Sequence, residues 1–208
     1  MSCLHCDHDL DDRIYHEIIE CITSALDAKD AYTAGHSQRV SDMSLKLSEL
    51  MGLPEHEINK IHIAAHLHDI GKIGIPDAVL NKEARLTDEE WLVMKSHPGI
   101  GADILSKSKM LSELIGIVLH HHERFDGKGY PDGLAAERIP VGARIIAICD
   151  SIDAMTSNRR YRKALSWDVC FQEIEKNLGT MYDPIIGRFA LDHWEEIKLA
   201  SGGELSDE

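Results

Sequence analysis

Nearly every apolar segment of this chain repeats at the helical period, and alternating strand patterns are almost absent, which restricts the fold to packed helices. Residues 12–29 carry Ile14, Ile18, Ile19, Ile22 and Leu26 as one amphipathic stripe. A second helix is predicted over 35–51 from Val40, Met43, Leu47 and Leu50, closed by Gly52 and Pro54. A third opens at Glu55, with Ile58, Ile61, Ala64, Ala65 and Leu67 inward and Gly71 after its last turn. Thr87 followed by Glu90 is a capping box that starts a helix through Met94, and Pro98 starts another to Leu105. Further helices are expected over 111–122, 141–156, 167–178 and 184–198. Residues 124–140 hold Gly127, Gly129, Gly133, Pro131 and Pro140 and must form a loop, with a short strand pair near Ile139 the one expected exception to an all-α chain.

At 208 residues and 43% hydrophobic the chain buries one core, so one domain is expected over 12–200, between a flexible Cys/His-containing lead (1–11) and an acidic tail (201–208). No apolar run reaches the roughly 18 residues that span a bilayer, and the acidic, His-rich start is unlike a secretory signal; a cytoplasmic protein is expected. Five cysteines without a framework (Cys3, Cys6, Cys21, Cys149, Cys170) predict reduced thiols. The net charge of −14 excludes general binding to DNA, RNA or an anionic membrane, so an anionic ligand must be held locally. Arg159, Arg160, Arg162 and Lys163 supply such a patch, and thirteen histidines against 3 Phe and 3 Trp favour metal chemistry over base stacking.

The histidines fall in a pattern. His68 and Asp69 are adjacent at the end of an apolar helix, His121 and His122 are adjacent, and Asp150 closes an apolar run where a bare carboxylate needs a partner. Neighbours on a helix project about 100° apart, which suits ligands to neighbouring ions better than chelation of one. A carboxylate at Asp69 can bridge two ions while His68 binds one, and His121 and His122 are read as one imidazole for each. Two ions roughly 3.5–4 Å apart are a standard arrangement for phosphoester hydrolysis. With His36 and His97 added, an imidazole and carboxylate set without thiols fits iron or manganese best, with zinc, cobalt and nickel also compatible. Lys72, one turn on, is placed to reach a phosphate oxygen, and Tyr130 in the glycine loop to stack on or hydrogen-bond a ligand. His62 and His66, one turn apart, lack a third ligand at suitable spacing and read as core or surface residues; His120 reads as structural, and Cys3, His5, Cys6 and His8 as part of a disordered lead, with soft-metal binding or redox sensing the alternative.

The same residues carry a family resemblance. His36, His68, Asp69, Lys72, His97, His121, His122 and Asp150, with the strings HDIGKIGIPD and HHERFDGKGYP, resemble the HD-GYP family over residues 20–190. The resemblance implies an HD-domain helical bundle with a GYP loop and added C-terminal helices. It implies a phosphodiesterase that hydrolyses cyclic di-GMP to pGpG and onward to GMP, using two divalent ions. It assigns Asp69 and Lys72 to catalysis and Lys72, Gly129, Tyr130, Asp153, Arg159 and Arg162 to substrate, the two arginines holding the second phosphate; Arg160 stands where proline is usual. Members with a third ion carry a glutamate where this chain has Tyr32, so two ions are expected. About 30 residues before the core leave no room for a sensory domain, so either a separate regulatory or receiver protein is expected or the chain is an excised catalytic module; a second copy of the chain is a further expected partner. Three rival readings stay open: an HD phosphohydrolase acting on a nucleotide or on cyclic GMP-AMP, a catalytically weak binding module, and an oxygen-reactive di-iron protein.

Overall fold

The computed structural model describes residues 4–29, 35–158 and 163–203, with side chains from residue 14 onward apart from 15 and 27. Tyr32, Cys3, Arg159, Arg160 and Arg162 lie outside the described residues, as do the side chains of His5, Cys6 and His8. Eleven α-helices follow in order among the described residues. They are α1 (Leu4–Lys29), α2 (His36–Leu50), α3 (Glu55–Leu67), α4 (Asp77–Leu80), α5 (Asp88–Met94), α6 (His97–Leu105), α7 (Ile115–His120), α8 (Val141–Thr156), α9 (Trp167–Lys176), α10 (Pro184–Asp192) and α11 (Trp194–Ala200). The fold is all-α; the one β feature among the described residues is an isolated bridge between Leu178 and Tyr182. The pair expected near Ile139 is instead a 3-10 turn, Ala136–Arg138, running into Pro140, which has no N–H to give a ladder.

The centre is α2 laid along α3 and α8. Met43 and Leu47 from α2, Ile61 from α3, and Ile145, Ile146, Ile148 and Ile152 from α8 are fully buried, each worth about 1.5–3 kcal/mol of apolar burial. The capping box at Thr87 is present with both of its reciprocal bonds. Helix α1 begins at Leu4, earlier than its apolar stripe suggests, and the stripe divides. Ile19, Thr23 and Leu26 are buried, whereas Ile14, Ile18 and Ile22 face solvent.

Two predicted helices are interrupted. Residues 111–122 become a 3-10 turn, Ser112–Leu114, followed by α7, which stops at His120. Residues 184–198 break at His193 (φ −116°, ψ 34°), and the break lets Ala190 and Leu191 of α10 and Trp194 and Ile197 of α11 reach the same core. No helix among the described residues is long and apolar enough to cross a membrane, and none of Cys21, Cys149 and Cys170 is in a disulfide.

Candidate metal centre

The centre lies where helix ends converge. Asp69 follows the end of α3, His36 opens α2, His97 opens α6, His121 and His122 follow the end of α7, and Asp150 comes from α8. Asp69 is the hub. Its Oδ2 faces His36 Nε2 at 3.8 Å and His68 Nε2 at 3.4 Å, while its Oδ1 faces His97 Nε2 at 3.2 Å and His121 Nε2 at 4.0 Å. Two groups of donor atoms therefore share this carboxylate: His36, His68 and Asp69 on one side, and Asp69, His97, His121 and His122 on the other. Asp150 Oδ1 joins the first side, 3.4 Å from His36 Nε2.

The adjacent imidazoles do not divide between the two groups as the helical spacing suggested. Because α7 ends at His120, His121 and His122 sit in a turn with ring centroids 4.0 Å apart and both face the His97 side. The His68 and Asp69 pair does divide, with the carboxylate spanning both groups.

Local backbone aims the rings. The Nδ1 atoms of His68, His97 and His121 each donate to the carbonyl three residues earlier, on Ala65, Met94 and Val118, at 2.7, 2.8 and 2.6 Å. A carbonyl can only accept, so Nδ1 carries a proton and Nε2 is the atom turned inward, the arrangement that orients a metal ligand. His36 is aimed differently: its Nδ1 meets Asp153 Oδ2 at 2.6 Å, and Arg39 Nε holds the other oxygen of Asp153 at 2.5 Å. Asp153, expected against substrate, is thus a correction: it is buried, with both oxygens committed to His36 and Arg39.

The electrostatics suit a cation. Burial opposes the charge of Asp69, but Lys72 and His68 outweigh it and hold the carboxyl well below its ordinary range. Asp150 is likewise lowered against its burial, by His36 and then His68. Burial keeps His121 far below its ordinary range and brings His122 to about 4, so both rings stay neutral. His68 Nε2 is buried without a hydrogen-bond partner, a cost of about 1–3 kcal/mol that a metal ion at that atom would remove. The donor set therefore fits divalent ions.

Lys72 Nζ lies 2.6 Å from Asp69 Oδ2 at the lip of the centre. Tyr130 stacks on His122 with centroids 4.9 Å apart, and Lys95 Nζ lies 5.3 Å from the Tyr130 ring. Gly129, expected as a ligand contact, has a packing role: a β-carbon there would sit against the backbone of Glu123 and Arg124. His120 is tied to Gly116 O and Asp132, away from the centre. Arg39 and Glu123 were not singled out from sequence. Glu123 is buried beside the His pair and accepts the Asp132 N–H at 2.7 Å, fixing the loop, and no spacing rule marks either residue.

Asp153→Asn is expected to weaken metal affinity about tenfold to a hundredfold by loosening His36, with turnover recovering at excess metal. A metal titration of activity checks this; a loss that excess metal leaves untouched would assign Asp153 to the fold alone.

The HD domain family model matches residues 20–186. The chain belongs to the HD domain family, in its HD-GYP branch. The cyclic di-GMP phosphodiesterase response regulator RpfG of Xanthomonas campestris pv. campestris is 42% identical over 170 residues, covering 81% of this chain and 45% of that protein. A cyclic di-GMP phosphodiesterase of Thermotoga maritima is 44% identical over 170 residues, covering 81% and 46%. The chain thus spans less than half the length of these curated relatives. Among solved structures, a cyclic GMP-AMP specific phosphodiesterase of V. cholerae superposes with a TM-score of 0.70 at 19% identity, over 92% of this chain and 51% of that one, and so shares the fold.

Proposed function

We propose that this chain is a metal-dependent phosphodiesterase that opens cyclic di-GMP to linear pGpG. The observation that carries the reading is Asp69, whose two oxygens face two separate groups of imidazoles while Lys72 stands 2.6 Å away. His36, His68, Asp69 and Asp150 would hold one divalent ion, and Asp69, His97, His121 and His122 the other, with iron or manganese suited to the donors. When bound, such a pair supplies charge neutralisation at phosphorus and a lowered water pKa.

The chain's own groups do the rest. The rings of His121 and His122 stay neutral beside the hub, whose burial keeps bulk water from the carboxylate. Lys72, partly exposed, exchanges its contact with Asp69 for a non-bridging phosphate oxygen as charge builds there. Tyr130, backed by His122, walls the entrance against a sugar or base. Arg159 and Arg162 hold the far phosphate, a role that rests on the sequence resemblance. The names of the 42% and 44% identical relatives support cyclic di-GMP as the substrate.

A second substrate has a specific observation behind it. A protein of Vibrio cholerae named as a 3'3'-cGAMP-specific phosphodiesterase is 35% identical over 182 residues. Both substrates use the same phosphodiester chemistry and differ in one base. The test is turnover of each by protein loaded with manganese or iron under reducing conditions, with products separated. Linear pGpG from cyclic di-GMP is the expected result. Preference for cyclic GMP-AMP would reassign the substrate, and binding of either without turnover would make the chain a sensor.

A further inference from the structure

A second histidine cluster lies between α1 and α3, and none of its rings belongs to the centre built on Asp69. His16 comes from α1, and His62 and His66 stand one turn apart on α3, so the third donor that sequence spacing does not reveal arrives from 46 residues earlier. The His16 and His62 rings stack with centroids 5.3 Å apart, and His66 meets both edge-on at 5.4 and 4.9 Å.

The outer nitrogens are accounted for. Ser41 Oγ donates to the His62 carbonyl at 2.9 Å, which leaves its lone pair to accept from His62 Nδ1 at 2.8 Å. His16 Nδ1 faces the Glu20 carboxylate, 3.3 Å away. His62 therefore holds its proton on Nδ1 and turns the lone pair of Nε2 toward His16 Nε2, 3.0 Å away. Two nitrogens bound to one ion at its usual bond length would be roughly 2.9–3.4 Å apart. His66 sharpens the point: it is 1% exposed, and neither ring nitrogen has a hydrogen-bond partner.

We propose that His16, His62 and His66 form a separate metal site that binds one first-row divalent ion of the zinc type and pins α1 to α3. Carboxylate and hydroxyl partners on the outer nitrogens are the usual supports of imidazole ligands, and three imidazoles suit zinc, nickel or copper. The half-exposed His16 gives the ion a way in from solvent. Bound there, the ion fastens the helix whose last residue, Leu67, is followed directly by His68 and Asp69.

The test is zinc content per chain by elemental analysis after equilibration with zinc and gel filtration, together with melting temperature with and without zinc. Parent protein should carry one more zinc than His16→Ala and His62→Gln, and should lose in those variants the part of its zinc-induced rise in melting temperature that this site supplies. Turnover with metal at the Asp69 centre should be retained in both. Glu20→Ala removes only the outer support of His16 and should weaken zinc at this site about tenfold to a hundredfold. Equal zinc content in parent and both histidine variants would overturn the site, leaving His16 and His62 joined only by their Nε2–Nε2 hydrogen bond. Should His16→Ala lose its far-UV helical signal, Glu20→Ala decides: unchanged zinc affinity there would overturn the proposal as well.

Discussion

Asp69→Ala is expected to lower turnover of cyclic di-GMP by about a thousandfold or more, because one side chain serves both groups of imidazoles. Its removal leaves His36 and His68 on one side and His97, His121 and His122 on the other with no shared ligand, and leaves Lys72 without its carboxylate. Metal content should fall together with activity. Asp69→Asn separates charge from shape: the amide fills the same space but can offer only one oxygen, so it should fold as the parent does and still fail to hold the pair. Stable turnover in either variant at full metal content would end the idea that this carboxylate spans two ions. His62→Ala is the control on the same helix and should keep its turnover.

Gly71→Ala should have the second largest effect, through packing. A β-carbon at Gly71 would overlap the His97 carbonyl oxygen and lie 2.5 Å from Gly101 N. The opposing atoms are backbone, so α6 itself must move away from the turn that follows Asp69. Overpacking of this kind costs about 3 kcal/mol, which corresponds to roughly 6–12 °C in melting temperature for a chain of this size. The displacement also carries His97 Nε2 away from Asp69 Oδ1, now 3.2 Å distant, so activity should fall even below the new melting temperature. Gly99→Ala, two residues past His97 on the same helix, meets nothing within 4 Å and should be neutral or slightly stabilising. Comparable losses in the two variants would show that glycine content in this region, not close approach at Gly71, is what matters.

Much of the fold and the outline of the centre could be read from residue order. The helical stripes of α2, α3 and α8 are strong because their buried faces are continuous, and the adjacent polar pairs at the ends of apolar runs mark the converging helix ends. What could not be read is what depends on contacts distant in sequence. His16 joins His62 and His66 only once α1 lies on α3. The Arg39 and Asp153 pair forms only when α2 crosses α8, more than a hundred residues apart in the chain. The turn at His121 and His122 was hidden because Leu119 and His120 continue the helical pattern up to the point where the helix stops. The exposed row of Ile14, Ile18 and Ile22 shows the same limit, since an apolar stripe reveals its period but not how many of its members find a neighbour.

The carbonyls behind His68, His97 and His121 carry a consequence for how such a centre can diverge. A backbone oxygen survives every substitution that leaves its turn intact, so the tilt and basicity of these three rings are almost closed to point mutation. His36 is instead steered by its side-chain hydrogen bond to Asp153, itself steered by Arg39. Drift or selection acting on metal preference in this scaffold therefore has an adjustable corner at His36, and exchange at residues 39 and 153 is where related chains should differ when they prefer a different ion.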